Sequence, residues 1–382
     1  MTYDIVILTD HRYDNPEKTD WYIDQILLED GLIKKALEKK GLKVIRKSWD
    51  ATNFDWSQAR FAIFRSTWDY FDRFSEFFAW FEKTRKILEF INSPKIIYWN
   101  LDKHYLNDLK QSKINIAPTV FIEKGEQQSL NVLFKKTKWN KAVLKPAIAG
   151  AARETFLINK EEHTNYEKEL QRLISSEAML LQEFQNEIPT KGEISLMMID
   201  GKFTHAVLKK AKAGDFRVQD DFGGTVEDYL PNKEEIAFAE KTIATCPEKP
   251  LYGRVDVFYD NKKQLALGEL ELIEPELWFR KQPQAADKLA DAIATLIQHK
   301  KPSYMSKKAQ LVWNFNGPDG LKTAEHHLIH LKEYAQMEAI QLLSSGVNKI
   351  SALSYEAFVV VEMTWVEKLR SELKPNKGFA ID

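Results

Sequence analysis

Three consecutive segments at the N-terminus constrain the architecture more than any other feature of the chain. Residues 4–9 form an apolar strand, residues 22–40 a helical stretch ending near Gly41, and residues 43–46 a second strand. Two strands joined through a helix need a crossover connection, the unit of a parallel sheet. A further apolar strand at 61–64 runs into Arg65-Ser66-Thr67-Trp68-Asp69-Tyr70. Polar side chains therefore collect at the carboxyl end of a strand, where open α/β sheets bind ligands. The next helix is predicted over 75–89 with Ser75 as its cap, and its Phe77, Phe78, Trp80 and Phe81 read as core.

At 382 residues the chain exceeds what one hydrophobic core organises, so two or three packed units are expected. The first spans residues 1–99. The second, 100–298, opens with the helix of Asp102-Lys103-His104-Tyr105-Leu106 and continues over 142–270 as strands and short helices. These read as an α+β unit with an antiparallel sheet, in which Asp200-Gly201 is a hairpin turn. After the linker Lys300-Lys301-Pro302-Ser303 a helix is predicted over 323–345, which makes 299–382 a small α-rich appended unit.

Charge and cysteine content narrow the classes of partner. Fifty-five Lys+Arg against 56 Asp+Glu leave a net charge of -1, so nothing draws the chain as a whole to nucleic acid or anionic lipid. The lone Cys246 excludes an intrachain disulfide and a multi-cysteine metal cage, as suits a reducing compartment. The opening apolar run covers only Ile5 to Leu8 before Asp10 and reads as a strand rather than a signal peptide. Expected are a cytoplasmic location, no nucleic-acid or membrane partner, and small-molecule substrates, with a homodimer left open.

The densest chemistry lies in Arg254-Val255-Asp256-Val257 and Gly268-Glu269-Leu270-Glu271-Leu272-Ile273-Glu274-Pro275. Strand alternation puts Glu269 and Glu271 on one face, and Asp256 belongs to the strand expected beside them. Three carboxylates so close raise one another's pKa unless a cation such as Mg²⁺ intervenes. An edge strand with solvent-facing acids is the alternative. A basic set, Lys103, Lys145, Lys209 and Arg217, sits in strands or at element ends, where a lysine is costly unless paired with an anion. Lys145 immediately precedes the small-residue loop Ala147-Ile148-Ala149-Gly150-Ala151-Ala152, whose backbone N–H groups suit phosphate oxygens. Leu180-Leu181-Gln182-Glu183-Phe184 reads as an adenine-binding hinge or as a plain edge strand.

In this order these residues resemble the ATP-grasp superfamily of carboxylate-amine ligases, nearest to prokaryotic glutathione synthetase-like and D-cycloserine synthetase-like members. The resemblance spans roughly residues 1–298. Its most specific parts are Val143-Leu144-Lys145-Pro146, Gly192-Glu193-Ile194-Ser195-Leu196, Lys212 to Gln219 with Gly223-Gly224, Arg254-Val255-Asp256 and Glu269-Leu270-Glu271.

The resemblance implies an ATP-grasp fold: an N-terminal parallel-sheet domain for the substrate, a central domain, and an antiparallel-sheet domain for ATP. It implies that Lys103 and Lys145 hold the phosphates, that Gln182, Glu183 and Phe184 form the adenine hinge, and that Glu193 assists the nucleotide. Asp256, Glu269 and Glu271 would bind two Mg²⁺ ions. Arg217 and Lys209 would stabilise an acyl phosphate and the tetrahedral intermediate formed when an amine attacks it. The family loop usually carries several glycines where only Gly150 stands here, so Arg153 is expected to grip phosphate instead. The family often has Asn where Glu271 stands, which adds negative charge to the metal site.

Arg65, Ser66, Thr67 and Asp69 are the substrate candidates, with Arg65 for a carboxylate and Asp69 for an amine, and a capping turn with Trp68 in the core is the alternative. Asp10 and Arg12 share that ambiguity. His326, His327 and His330 on the last long helix make either a Zn²⁺ pair or a polar face. The expected function is an ATP-dependent carboxylate-amine ligase releasing ADP and phosphate. A nucleotide-binding sensor without turnover and a kinase-like phosphoryl transferase on the same fold are the alternatives.

Overall fold

The computed structural model describes residues 2–150, 152–212, 223–299 and 308–381. The chain divides into two compact units, Met1–Thr295 and Leu296–Asp382. In the first, β1 (Tyr3–Thr9), β2 (Val44–Ser48), β3 (Ala59–Ser66) and β4 (Glu89–Ile91) form a parallel sheet in the order β2-β1-β3-β4. Ile5, Val6, Ile7 and Leu8 are all fully buried, because a parallel strand is covered on both faces and carries an unbroken apolar run.

The helix expected over 75–89 is Phe74–Thr84, and its N-cap Arg73 makes no side-chain cap bond. The chain leaves the helix because Phe90 is needed elsewhere: β4 pairs with β3 and stacks Phe90 on Phe64 with centroids 5.2 Å apart. Sheet pairing and packing outweigh the local helical pattern there.

Residues 119–271 hold two antiparallel sheets where one was expected. The smaller contains β5 (Thr119–Ile122), β6 (Lys141–Pro146), β7 (Phe156–Asn159) and β8 (Met179–Glu183) in the order β5-β8-β6-β7. The larger contains β9 (Glu193–Ile199), β10 (Lys202–Lys210), β11 (Thr225–Tyr229), β12 (Tyr252–Tyr259) and β13 (Leu265–Glu271) in the order β11-β10-β9-β12-β13. Each has its own apolar core: Leu133, Phe134, Leu170 and Leu173 lie under the smaller sheet, and Ile194, Leu196, Val255 and Val257 belong to the larger. The β9–β10 hairpin turns on Asp200 (φ 50°) and Gly201 (φ 78°), the left-handed pair such a tight turn requires.

The second unit corrects the expectation of an α-rich segment. It runs β14 (Lys308–Asn316), helix Gly320–Met337, β15 (Ser344–Ser351), β16 (Ser354–Glu362), helix Val366–Leu373, β17 (Lys377–Ile381). Its antiparallel sheet has the order β15-β16-β14-β17, a split βαβ plait. The predicted helix over 323–345 ends early, with Glu338 as its C-cap and Ala339 left-handed (φ 54°), and Ser344 onward pairs with β16. A strand so rich in polar residues shows no period of two, so only its partner makes it legible.

Candidate active site

A cleft of about 570 Å³ opens in the first unit, lined by both antiparallel sheets and by segments that follow the parallel strands. Its floor is a lattice of charges on β9, β10, β12 and β13. Asp256 and Glu269 are register partners on β12 and β13, and Ser195 lies opposite Asp256 on β9. Asp256 is almost wholly buried and both its oxygens are taken. Oδ1 accepts from Ser195 Oγ (2.6 Å) and Arg254 Nε (2.9 Å), and Oδ2 from Lys209 Nζ (2.9 Å) and Arg254 Nη2 (2.8 Å). Burial works to raise its pKa, but Arg254, Lys209 and these hydrogen bonds hold it well below the usual carboxylate range.

Lys209 also pairs with Glu193 Oε1 at 2.6 Å. Burial opposes its charge, yet Asp256 and Glu193 lift its pKa above the ordinary lysine value. Glu271 pairs with Arg254. It is nevertheless pushed up to about 8, first by burial, with Arg254 acting against the shift and Asp256 and Glu269 adding to it.

Lys103 ties the lattice to the loop after β6, donating to Ala149 O (2.6 Å) and meeting Glu269 Oε1 at 2.9 Å. Burial raises the Glu269 pKa, but Lys103 and Lys145 bring it below the ordinary value. Lys145, on β6, has no ion-pair partner among the described residues, and loss of solvent lowers its pKa despite Glu269 and Glu193. In the loop beyond it, a Cβ on Gly150 would stand 2.5 Å from the Phe71 ring, so the one glycine is where an aromatic edge closes on the backbone. Arg153 lines no part of the cleft. It holds Glu177 with both Nη atoms (3.1 and 2.5 Å) and donates to Ile148 O (3.0 Å), bracing the loop from behind.

Gln182, Glu183 and Phe184 all line the cleft, with Ala117, Val143, Phe258 and Leu270 as its apolar walls there. The Glu183 and Phe184 N–H groups are already spent on Pro118 O (2.9 Å) and Lys141 O (3.0 Å), and the Gln182 side chain on Thr119 Oγ1 (2.9 Å). Beyond them, the backbone N–H of Gln185 has no partner among the described residues. That donor was missed, because strand pairing decides which amides remain free. Arg254 was also missed as a site residue, although a charge inside Tyr252–Tyr259, flanked by buried neighbours, was a visible signal.

The carboxylates of the cleft form part of a candidate metal site. Oxygen donors suit a hard divalent cation, which would offset both the burial that raises Glu271 and the repulsion that Asp256 and Glu269 add to it. Glu269 and Glu271 fit, both lining the cleft from one face of β13. Asp256 would first have to give up a cationic partner, and the three carboxylates do not converge on a single point. Among the described residues His11, Asp50 and Asp69 do converge, but Arg73 already bridges both aspartates at 2.6 and 3.0 Å.

Arg65, Ser66, Thr67 and Asp69 do not line the cleft. Arg65 donates to Pro275 O (2.9 Å), Ser66 Oγ to Asp30 (3.0 Å), and Asp69 accepts from Trp49 Nε1 (2.7 Å). All four are buried. Arg12, Trp68 and Tyr70 line the cleft instead, and Arg12 is oriented by Asp10 through Nε (3.0 Å) and Nη2 (2.6 Å). Arg217 lies outside the described residues. The rings of His326 and His330 meet at 4.5 Å on the exposed helix of the second unit, and His330 bonds Glu333 (3.1 Å).

Comparison with known proteins follows the same division. Residues 5–92 match the family described as D-cycloserine synthetase DcsG, N-terminal domain, and residues 109–255 match prokaryotic glutathione synthetase, ATP-grasp domain. The chain is 25% identical over 257 residues to the cycloserine biosynthesis protein DcsG of Streptomyces lavendulae, covering 64% of this chain and 86% of that protein. In fold it is similar to the crystal structure of D-cycloserine synthetase DcsG, with a TM-score of 0.67 at 22% identity over 77% of this chain and 99% of the other. D-alanyl-alanine synthetase A from Vibrio cholerae gives a TM-score of 0.56 at 14% identity over 78% and 100%. Both structures are used almost whole, which leaves a share of this chain about the size of the second unit unmatched.

Proposed function

We propose that this chain, an ATP-grasp enzyme by its fold and family matches, joins a carboxylate to an amine through an acyl phosphate made from ATP. The observation that carries the proposal is the pairing pattern of the cleft. Among the described residues Lys145 faces it without an anion, beside acids that suit a divalent cation and beside two cations, Arg254 and Lys209, pre-positioned by Asp256. Nucleotide phosphates would supply the missing anion, held by Lys145 and by Lys103 once it releases Glu269. The Gln185 N–H and the apolar walls around it suit an adenine edge, with Gln182, Glu183 and Phe184 forming the strand that presents it.

Glu269 and Glu271 would hold Mg²⁺, which when bound neutralises charge on the phosphates. Arg254 and Lys209 are then aimed, without reorganisation, at negative charge developing on an acyl phosphate and on the tetrahedral adduct. Asp256 serves as their common anchor, and Glu193 fixes the far side of Lys209. The likeness to a cycloserine biosynthesis protein supports a small amino-acid-like substrate.

The test is phosphate release from ATP and Mg²⁺ with pools of amino acids and small carboxylates, with and without amine donors, and with Glu269→Ala as the blank. Release that needs both a carboxylate and an amine, and is absent in the blank, is expected. A stable phosphorylated product without free phosphate would instead indicate phosphoryl transfer, and binding of ATP without release in any pool would indicate a sensor.

A further inference from the structure

Among the described residues, six acids between Glu193 and Glu276 line the cleft, and five of them have a cationic partner: Glu193, Asp256, Glu269, Glu271 and Glu276. Glu274 has none among the described residues. Its Oε2 is sealed from water and meets no hydrogen-bond donor. A buried acceptor in that condition costs free energy unless a ligand brings the donor.

The carboxyl is held where it is. Trp68 Nε1 donates to the Glu274 carbonyl (3.0 Å) and Arg65 Nη1 to that of Pro275 (2.9 Å), while Tyr70 acts on the Glu274 carboxyl to hold its pKa down. The segment therefore cannot swing its acid into solvent without breaking contacts on both sides of it. Tyr13, Tyr22, Trp68 and Phe71 line the same cleft and leave space for a small molecule.

We infer that Glu274 is the specificity-determining residue of this site, receiving the ammonium group of a small amino-acid-like substrate. The inference rests on the ligase function proposed above and names the substrate feature that function selects. An ammonium brings both a donor for Oε2 and the charge that the other five acids already have. A 2-hydroxy acid of the same shape brings a donor but no charge, and an N-acyl amino acid brings no charge and a bulkier group. Burial raises Glu274 to about 7, with Tyr70 and Lys103 acting against the shift and Glu269 adding to it. An ammonium beside it would draw the carboxyl back to its charged form.

The experiment compares phosphate release by the full chain and by Glu274→Gln, using the amino-acid pool and the matching 2-hydroxy acids, with ATP affinity measured alongside. In the wild type the amino acids should be preferred. In Glu274→Gln their kcat/KM should fall on the order of 10- to 100-fold, the loss of a charged hydrogen bond, while the rates with 2-hydroxy acids hold. Tyr70→Phe should move the same ratio in the same direction by less, and it takes over the test should Glu274→Gln fail to unfold cooperatively at the wild-type temperature. An unchanged ratio, an equal fall for both substrate classes, or a wild-type preference for hydroxy acids overturns the inference. Should no pool stimulate release from the wild type, the ligase function fails. Calorimetric titration of the amino-acid pool then decides separately: heat lost in Glu274→Gln supports the role, and equal or absent heat in both proteins overturns it.

Discussion

Two lysines set into strands on different sheets of the cleft are treated in opposite ways. Lys209, on β10, is buried against Glu193 and Asp256, and its pKa rises. Lys145, on β6, is partly buried with no partner among the described residues, and its pKa falls. Both residues interrupt an apolar strand, so the sequence presents them alike. The difference lies in the counter-charge: among the described residues Lys209 of the larger sheet has two acids, while Lys145 of the smaller one presents an unmet charge.

The sharpest way to break this comparison is to remove the anchor. Asp256→Ala strands Lys209 and Arg254 without their shared acid, and should cost about 3–5 kcal/mol in denaturant unfolding as well as all measurable phosphate release. Lys145→Met should do the reverse: stability within about 1 kcal/mol of wild type, because no ion pair is lost, and ATP affinity down at least ~10-fold by equilibrium binding. Comparable stability losses in the two variants would abolish the distinction. Glu269→Gln lies between them, removing a cation donor and the partner of Lys103. The Mg²⁺ concentration for half-maximal phosphate release should rise roughly 10-fold or more, and an unchanged Mg²⁺ dependence would remove Glu269 from the metal site.

The smallest effect is on the alkaline stability profile, where the two lysines have opposite signs. The fold holds Lys145 below its ordinary 10.5, so the unfolded chain keeps that proton longer and stability rises with pH between the folded value and 10.5. Lys209 is held above 10.5, so its stabilisation is complete below that pH and is lost as pH climbs through the raised value. Lys145→Met should remove the rising contribution alone, as read from urea midpoints across the alkaline range. The same profile in Lys145→Met and wild type would contradict the depressed value.

Legibility followed the range of the interaction concerned. The β-α-β opening, the β9–β10 turn and the alternation that puts Glu269 and Glu271 on one face are set by residues close in the chain. The segment proposed to meet adenine was legible as a strand, but not its free donor: pairing consumes the Glu183 and Phe184 amides and leaves that of Gln185 without a partner among the described residues. The Arg65–Tyr70 stretch announced polar groups at a strand end without telling inward from outward. In the fold Arg65 and Trp68 instead secure the backbone of Glu274 and Pro275, more than 200 residues away. The second unit was misjudged because the outer strand β15 carries little apolar signal of its own, and only pairing with β16 makes it a strand.

The sequence alone therefore determined which elements form where the pattern is local, and that acids and lysines occur within apolar strands. The tertiary structure decided which charge meets which. Lys209 and Asp256 are 47 positions apart and touch at 2.9 Å, while Lys145 and Glu274 find no such partner among the described residues. Burial makes a charge expensive wherever it sits, but only the register of strands distant in sequence determines whether a counter-charge arrives to offset it.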